Sequence, residues 1–144
     1  MHVRDVLSGK SSLVHTCSPD DTLADVADLM VGHNVGSLIV MQDEEMVGII
    51  TERDILRRVV AAERNPSLTP IRDVMTAPVA CCKPETTLLE CRSVMTDKRI
   101  RHLPVVDEHG LRGIVTIGDL MAQEVGEHQA TVEYLSSYIF GTSR

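Results

Sequence analysis

The sequence predicts an α/β fold built from two copies of one βαββα unit, followed by a helical tail. Shifting the chain by 65 residues places residues 19–55 on residues 84–120 without a gap. Ten of these 37 positions are identical, whereas unrelated sequences of average composition would share roughly two. In both copies a helical spacing of apolar residues precedes strand-like apolar runs. A repeat of this kind predicts two halves with the same architecture.

Each copy gives the same order of predicted elements: strand, helix, hairpin, helix. Leu23, Val26, Ala27 and Met30 recur at the spacing of an amphipathic helix, and the second copy repeats this stripe. Apolar runs on both sides of a polar turn indicate each hairpin. Residues 3–7 resemble residues 71–75 at a different offset, which indicates a short insertion near residues 9–12. The predicted elements are first strands at residues 13–17 and 79–82, hairpins at 38–51 and 103–116, and closing helices at 52–62 and 117–125.

The composition restricts the classes of partner. The formal net charge is −7, and there is no basic stripe to neutralise nucleic-acid phosphates. No apolar run approaches the ~20 residues of a membrane span, and no targeting segment is recognisable, so we expect a cytoplasmic protein. The four cysteines form no CxxC pair, which favours reduced, mostly buried thiols over a metal or redox site.

A Gly-x-x-Thr-x-x-Asp segment ends each hairpin and begins the following helix. It places Thr51 and Asp54 in the first copy and Thr116 and Asp119 in the second. One interpretation is purely structural, because Thr and Asp at this spacing cap a helix. The other is a ligand site, because a helix N-terminus attracts anions, a carboxylate can bind sugar hydroxyls, and glycine allows a ligand to approach the backbone. The repetition of the motif at one place in each copy favours the ligand site.

The whole repeat resembles a tandem of cystathionine-β-synthase-type (CBS) domains, a pair often called a Bateman module. The resemblance covers residues 1–121 and implies two pseudo-symmetric domains packed through their sheets, with two clefts between them. The expected divisions are residues 1–64, 65–123 and a helical tail at 124–144. In that family the motif contacts the ribose and phosphate of adenosine ligands, and main-chain groups of the first strand contact the adenine edge. The implied ribose residues are Thr51, Asp54, Thr116 and Asp119, and the implied adenine positions are His15, Thr16, Ala80 and Cys81.

A second motif occurs only in the later copy, over residues 98–107. It is similar to a phosphate-holding segment in the γ subunit of AMP-activated kinase, in which two basic residues precede Leu-Pro. Here these residues are Arg101 and His102, whose cationic donors suit a phosphate. The first copy has Gly36 and Ser37 instead, so its own cleft would depend on Arg53 for a phosphate contact.

These observations predict a regulatory binding protein rather than an enzyme, since no nucleophile and base emerge and there is no room for a catalytic barrel. The expected ligand is an adenine nucleotide, with AMP first and ADP, ATP, NAD(H) or S-adenosylmethionine behind it. No metal and no required cofactor are expected. The alternative is a ligand-independent interaction module in which both motifs are only helix caps.

The tail contains all three aromatic residues of the chain, Tyr134, Tyr138 and Phe140. An apolar tail fits two roles equally well, a helix docked on its own core or a contact within a dimer. Together with the resemblance to paired half-discs, it leads us to expect a two-fold homodimer and an unidentified protein target.

Overall fold

A computed structural model describes residues 1–10 and 13–127 of the chain, and of residues 124–127 only the backbone. The predicted mixed α/β architecture is confirmed, and both copies contain a helix, a hairpin and a closing helix. The predicted tail beyond Glu127 lies outside the described residues. The helices are α1 (Val3–Ser8), α2 (Leu23–His33), α3 (Glu52–Ile55), α4 (Leu88–Lys98) and α5 (Ile117–Glu127). The strands are β1 (Thr16–Cys17), β2 (Ser37–Gln42), β3 (Glu45–Thr51), β4 (His102–Asp107) and β5 (Gly110–Thr116).

Helices α2 and α4 begin and end in the same way. Their N-cap threonines, Thr22 and Thr87, each accept a hydrogen bond from a backbone N–H three residues later. Both helices end at a left-handed residue, Asn34 at φ 54° and Arg99 at φ 55°. The predicted apolar stripe of α2 is buried at Leu23, Val26 and Met30, and that of α4 at Cys91 and Met95.

The two hairpins share one register. Strands β2 and β3 pair antiparallel with Ser37 opposite Thr51, and β4 and β5 pair with His102 opposite Thr116. Each hairpin has a bulge at the equivalent place, after Val40 and Val105. This register places the start of β4 beside Thr116 at the end of β5, and the start of β2 beside Thr51 at the end of β3.

The first strands are shorter than predicted. Strand β1 covers only Thr16–Cys17 of the predicted residues 13–17, and it pairs in parallel with β2. The predicted strand at residues 79–82 is wrong, because only Cys82 forms a bridge, to Val105. Pro78 and Pro84 flank this stretch, and because neither has a backbone N–H, neither can donate to an extension of the pairing at its ends.

The helix predicted over residues 52–62 also departs from a regular α-helix. It is α-helical only in α3 and continues as a π-helical segment, Leu56–Val60. The equivalent α5 remains α-helical throughout. Val59 is the buried residue of the π segment and packs in the first core, whereas Leu56 and Val60 are exposed.

The two copies exchange their leading segments. Val3 of α1 packs in the core of the second copy, whereas Ile71 and Val74 pack in the core of the first. Equivalent backbone bonds hold both segments: Val3 N–H donates to Thr86 O, and Ile71 N–H donates to Asp21 O, each at 2.9 Å. Strands β3 and β5 lie against each other where the copies meet. The exchange makes each half depend on the other for part of its core.

Candidate functional site

A cavity of about 400 Å³ lies between the two copies. It is lined mostly by the approach to β1 and the turn before β2 in the first copy, and by the start of β4 and the end of β5 in the second. This arrangement brings residues far apart in sequence to one surface. The lining residues are Lys10, residues 13–15, residues 34–37, Ile39, His102, Ile114 and Thr116.

The second motif caps α5 at one side of this cavity. The Thr116 backbone N–H donates to Oδ2 of Asp119 at 2.9 Å, and the Asp119 N–H donates to Oγ1 of Thr116 at 3.2 Å. The same Oδ2 also accepts from Nζ of Lys10 at 2.8 Å. The side chain of Asp119 is 22% exposed, so its carboxylate is reachable from the solvent side.

The first motif forms the same cap but is more completely enclosed. Asp54 Oδ2 accepts from the backbone N–H and the hydroxyl of Thr51, both at 3.1 Å. Its Oδ1 accepts from the Thr76 hydroxyl at 2.8 Å and lies 3.9 Å from Nε of Arg58. The Asp54 side chain is only 9% exposed. Protein donors therefore surround both oxygens, which is the arrangement expected of a structural cap.

The glycines of both motifs serve packing in this structure, not ligand approach as the sequence suggested. A Cβ on Gly48 would lie 2.5 Å from Sδ of Met75, and one on Gly113 would lie 2.9 Å from Cδ2 of Leu7. Met75 and Leu7 belong to the exchanged leading segments. The glycine of each motif thus makes room for the leading segment that comes from the other copy.

His102 is half-buried in the cavity wall, and charged groups surround it. Burial is the largest influence and holds the pKa of His102 below its ordinary value. Arg101 and Lys10 lower the pKa further, whereas Glu52 and Asp119 raise it. Without a ligand, His102 is therefore predominantly neutral at neutral pH. A bound anion would favour its protonated form.

The expected adenine positions form two pairs, one in each copy, and of these four residues the cavity lining includes His15 alone. His15 lines the cavity and stacks on His33, with ring centroids 3.8 Å apart. Thr16 is exposed in β1 opposite Ile39. Ala80 packs against the second core and Cys81 is exposed, and neither lines this cavity.

The two arginines expected near phosphate lie away from the cavity lining. The Arg53 guanidinium donates to the backbone carbonyl of Arg99, which ends α4, and so connects the two copies. Arg101 is exposed, and its backbone carbonyl accepts from the Ile117 N–H at 2.9 Å. Of the expected site residues, the cavity brings together His15, His102 and Thr116, and Asp119 is bonded directly to Thr116 and to Lys10 of the lining.

The repeat, the shared hairpin register and the cavity between the halves agree with a comparison against protein families. The model for the CBS domain matches twice, at residues 3–61 and 71–126. This chain is a pair of CBS domains. Pairs of this kind are commonly regulatory modules that bind nucleotides, and stand-alone members are generally not catalytic.

Similar proteins are themselves CBS-domain proteins. The chain is 41% identical over 130 residues to a mitochondrial one from Arabidopsis thaliana, covering 87% of this chain and 63% of that protein. It is 36% identical over 117 residues to YhcV of Bacillus subtilis, covering 81% and 83%. A solved structure of a protein with CBS domains from Burkholderia ambifaria has a TM-score of 0.85 at 35% identity, covering 88% and 95%.

This chain spans about three fifths of the length of the first two curated relatives that it matches. Within residues 1–10 and 13–127, no helix is long and apolar enough to cross a membrane.

Two important residues of this CBS pair are absent from the sequence-based set. Lys10 belongs to the short insertion near residues 9–12, and Thr76 directly follows the leading segment at residues 71–75. Both donate to a motif carboxylate, Lys10 to Asp119 and Thr76 to Asp54. The insertion was the available signal for Lys10, because extra residues in one copy break the symmetry between the two sites.

Proposed function

We propose that this CBS pair is a regulatory module that binds an adenine nucleotide in the cavity between its copies. The observation that supports this most strongly is the cavity itself, which collects His15, Thr116 and His102 from separate elements. Its volume of about 400 Å³ is within the range of small-molecule sites. AMP is the first candidate, followed by ADP, ATP, NAD(H) and S-adenosylmethionine.

The proposed ribose acceptor is Asp119. Its carboxylate is at the cavity edge, partly exposed, and one oxygen is held in place by the Thr116 backbone N–H. A carboxylate oriented in this way accepts well from the two hydroxyls of a ribose. Asp54 is the weaker candidate, because its oxygens already accept from Thr51 and Thr76 inside the fold.

The proposed phosphate position lies near His102. Lys10 lines the same cavity, and Arg101 is the residue immediately before His102. A phosphate at this position would meet the Lys10 ammonium and the His102 imidazole, whose protonated form an anion favours. Adenine would then lie toward His15 and the apolar residues of the first copy, with the ligand spanning both halves.

The test compares AMP, ADP, ATP, NAD and S-adenosylmethionine by thermal shift on protein shown by mass spectrometry to be ligand-free. A ligand at about 100 times its Kd should stabilise the fold by roughly 2.7 kcal/mol. Calorimetry on Asp119→Ala and Asp54→Ala then locates the site, with the larger loss of affinity expected for Asp119→Ala. No response to any of the five ligands would contradict the proposal.

A second candidate is an interaction module that needs no ligand. It is favoured by the capping geometry of both motifs and by apolar side chains exposed on the closing helices, Leu56, Val60 and Met121. Such a surface suits the expected two-fold homodimer or a protein target. Light scattering on the full chain tests the dimer, and the absence of binding by all five ligands would favour this candidate over nucleotide binding. Unchanged affinity in both aspartate variants would instead make the two motifs helix caps and place the ligand elsewhere.

A further inference from the structure

Lys10 makes two contacts that hold its ammonium group inside the cavity wall. Its Nζ donates to Oδ2 of Asp119 at 2.8 Å and to the backbone carbonyl of Ile114 at 3.0 Å. The Lys10 side chain is 30% exposed and its partner carboxylate 22% exposed. The pair connects residues 109 positions apart in the chain. The contact thus brings a cation from the leading segment to the proposed ribose acceptor.

The equivalent carboxylate of the first copy has a hydroxyl as its close partner on Oδ1, with the half-exposed Arg58 guanidinium farther away at 3.9 Å. There the Thr76 hydroxyl donates to Oδ1 of Asp54 at 2.8 Å. The two halves therefore share the Thr-x-x-Asp cap but differ in the group that neutralises or completes the aspartate. Within residues 1–10 and 13–127, a lysine ammonium bonds to the Asp119 carboxylate and none bonds to that of Asp54.

We propose that Lys10 makes this cavity selective for nucleotides that bear a phosphate over uncharged nucleosides. The inference rests on the proposed function and specifies the ligand class of the same cavity. It follows from competition for Oδ2 of Asp119, which already accepts from Lys10 and from the Thr116 N–H. A ribose whose two hydroxyls bind both carboxylate oxygens has to share Oδ2 with Lys10 or displace it. A phosphate-bearing ligand supplies a new anion for the displaced ammonium, whereas a nucleoside leaves it unpaired.

The surroundings of Lys10 strengthen this selection. A partly buried ammonium that loses its carboxylate is costly unless another anion replaces it. The Ile114 carbonyl retains the side chain in the cavity wall, so the freed charge stays near the ligand. His102 lines the same cavity and gains a proton more readily beside an anion, so both groups favour a phosphate.

The experiment measures the affinities of AMP and adenosine by titration calorimetry for the wild-type chain and for Lys10→Met. We expect the wild type to bind AMP more tightly than adenosine. In Lys10→Met the affinity for AMP should fall about ten- to a hundredfold, the loss of one charge-assisted bond. The affinity for adenosine should stay the same or rise, because Asp119 no longer has a competing donor. Lys83→Met, an exposed lysine outside the cavity lining, is the matched control and should leave both affinities unchanged.

The outcomes separate the inference from the function on which it rests. Equal losses for AMP and adenosine in Lys10→Met would overturn the selective role and make Lys10 a structural residue. No binding of either compound to the wild type would overturn the proposed function and this inference with it. Thermal unfolding of each variant verifies that it is folded. If Lys10→Met does not fold, Lys10→Gln removes the charge while keeping a donor, and the same loss of selectivity is expected.

Discussion

Replacing Asp54 with alanine should destabilise the protein more than the same change at Asp119, although the two residues are equivalent in the repeat. Both changes remove the carboxylate half of a capping box, the bond from the threonine N–H to the aspartate, and leave the threonine cap in place; this costs about 1 kcal/mol. At Asp54 the change also removes the acceptor of two partly buried hydroxyls, those of Thr76 at 2.8 Å and of Thr51 at 3.1 Å. Each lost bond costs about 0.5–1.5 kcal/mol, which adds about 1–3 kcal/mol in total. At Asp119 the released Lys10 ammonium keeps the Ile114 carbonyl as an acceptor at 3.0 Å and is 30% exposed to water, so its lost contact adds less.

These terms lower the free energy of unfolding by about 2–4 kcal/mol in Asp54→Ala and by about 1 kcal/mol in Asp119→Ala. At about 4 °C per kcal/mol for a chain of this size, Tm should fall by roughly 8–16 °C in Asp54→Ala and by roughly 4 °C in Asp119→Ala. Arg58 adds little to either figure, because it is half-exposed and 3.9 Å from Asp54.

The assay is urea and thermal unfolding followed by circular dichroism, without ligand. Asp28→Ala, on the exposed side of α2, serves as the control and should change Tm little. Equal shifts for the two aspartate variants, or a larger shift for Asp119→Ala, would refute the reasoning that Asp54 is chiefly structural and Asp119 is available to a ligand.

Three further predictions follow from packing and charge. Gly48→Ala should lower the free energy of unfolding in urea by about 1–3 kcal/mol, because the new Cβ would lie 2.5 Å from Met75 Sδ and 3.1 Å from the Thr76 backbone oxygen. Unchanged stability would mean that the segment at residues 71–75 shifts freely to make room. Because folding holds the pKa of His102 below its unfolded value, the stability of the wild type should decline as pH falls below about 6.5. The stability of the His102→Gln variant should decline less between about pH 7.5 and about pH 5.5. Arg53→Ala should lower Tm slightly by freeing the Arg99 carbonyl, and should leave AMP affinity intact by calorimetry; a large loss of affinity would restore Arg53 as a phosphate contact.

The parts of the fold that could be predicted are those encoded by local spacing. The stripe at Leu23, Val26 and Met30 specifies the buried side of α2 whatever it packs against. The hairpins follow equally from two apolar runs and a short polar turn. The strand at residues 79–82 could not be separated from a loop, since a short apolar stretch has no period and only its pairing decides it.

The exchange of leading segments could not be predicted from the same signals. Residues 3–7 and 71–75 have nearly the same apolar pattern, so either would fit either core. Which core each one joins depends on chain connectivity in three dimensions, not on the spacing of its residues. The contacts of Lys10 and Thr76 depend on this exchange, which explains why neither residue was found among the candidates.

The exchange also explains how two copies of one motif acquire different chemistry. Thr51 with Asp54 and Thr116 with Asp119 form the same cap, because the cap depends only on residues within the motif. Beyond the motif and the distant Arg58, the close carboxylate contacts come from the segments that the copies exchange or that adjoin them, the Thr76 hydroxyl at Asp54 and the Lys10 ammonium at Asp119. A substitution in either segment would therefore change one site without altering its motif. Differences in ligand between such pairs should accordingly be sought in the segments that precede each repeat, and Lys10 is the residue at which this chain tests that expectation.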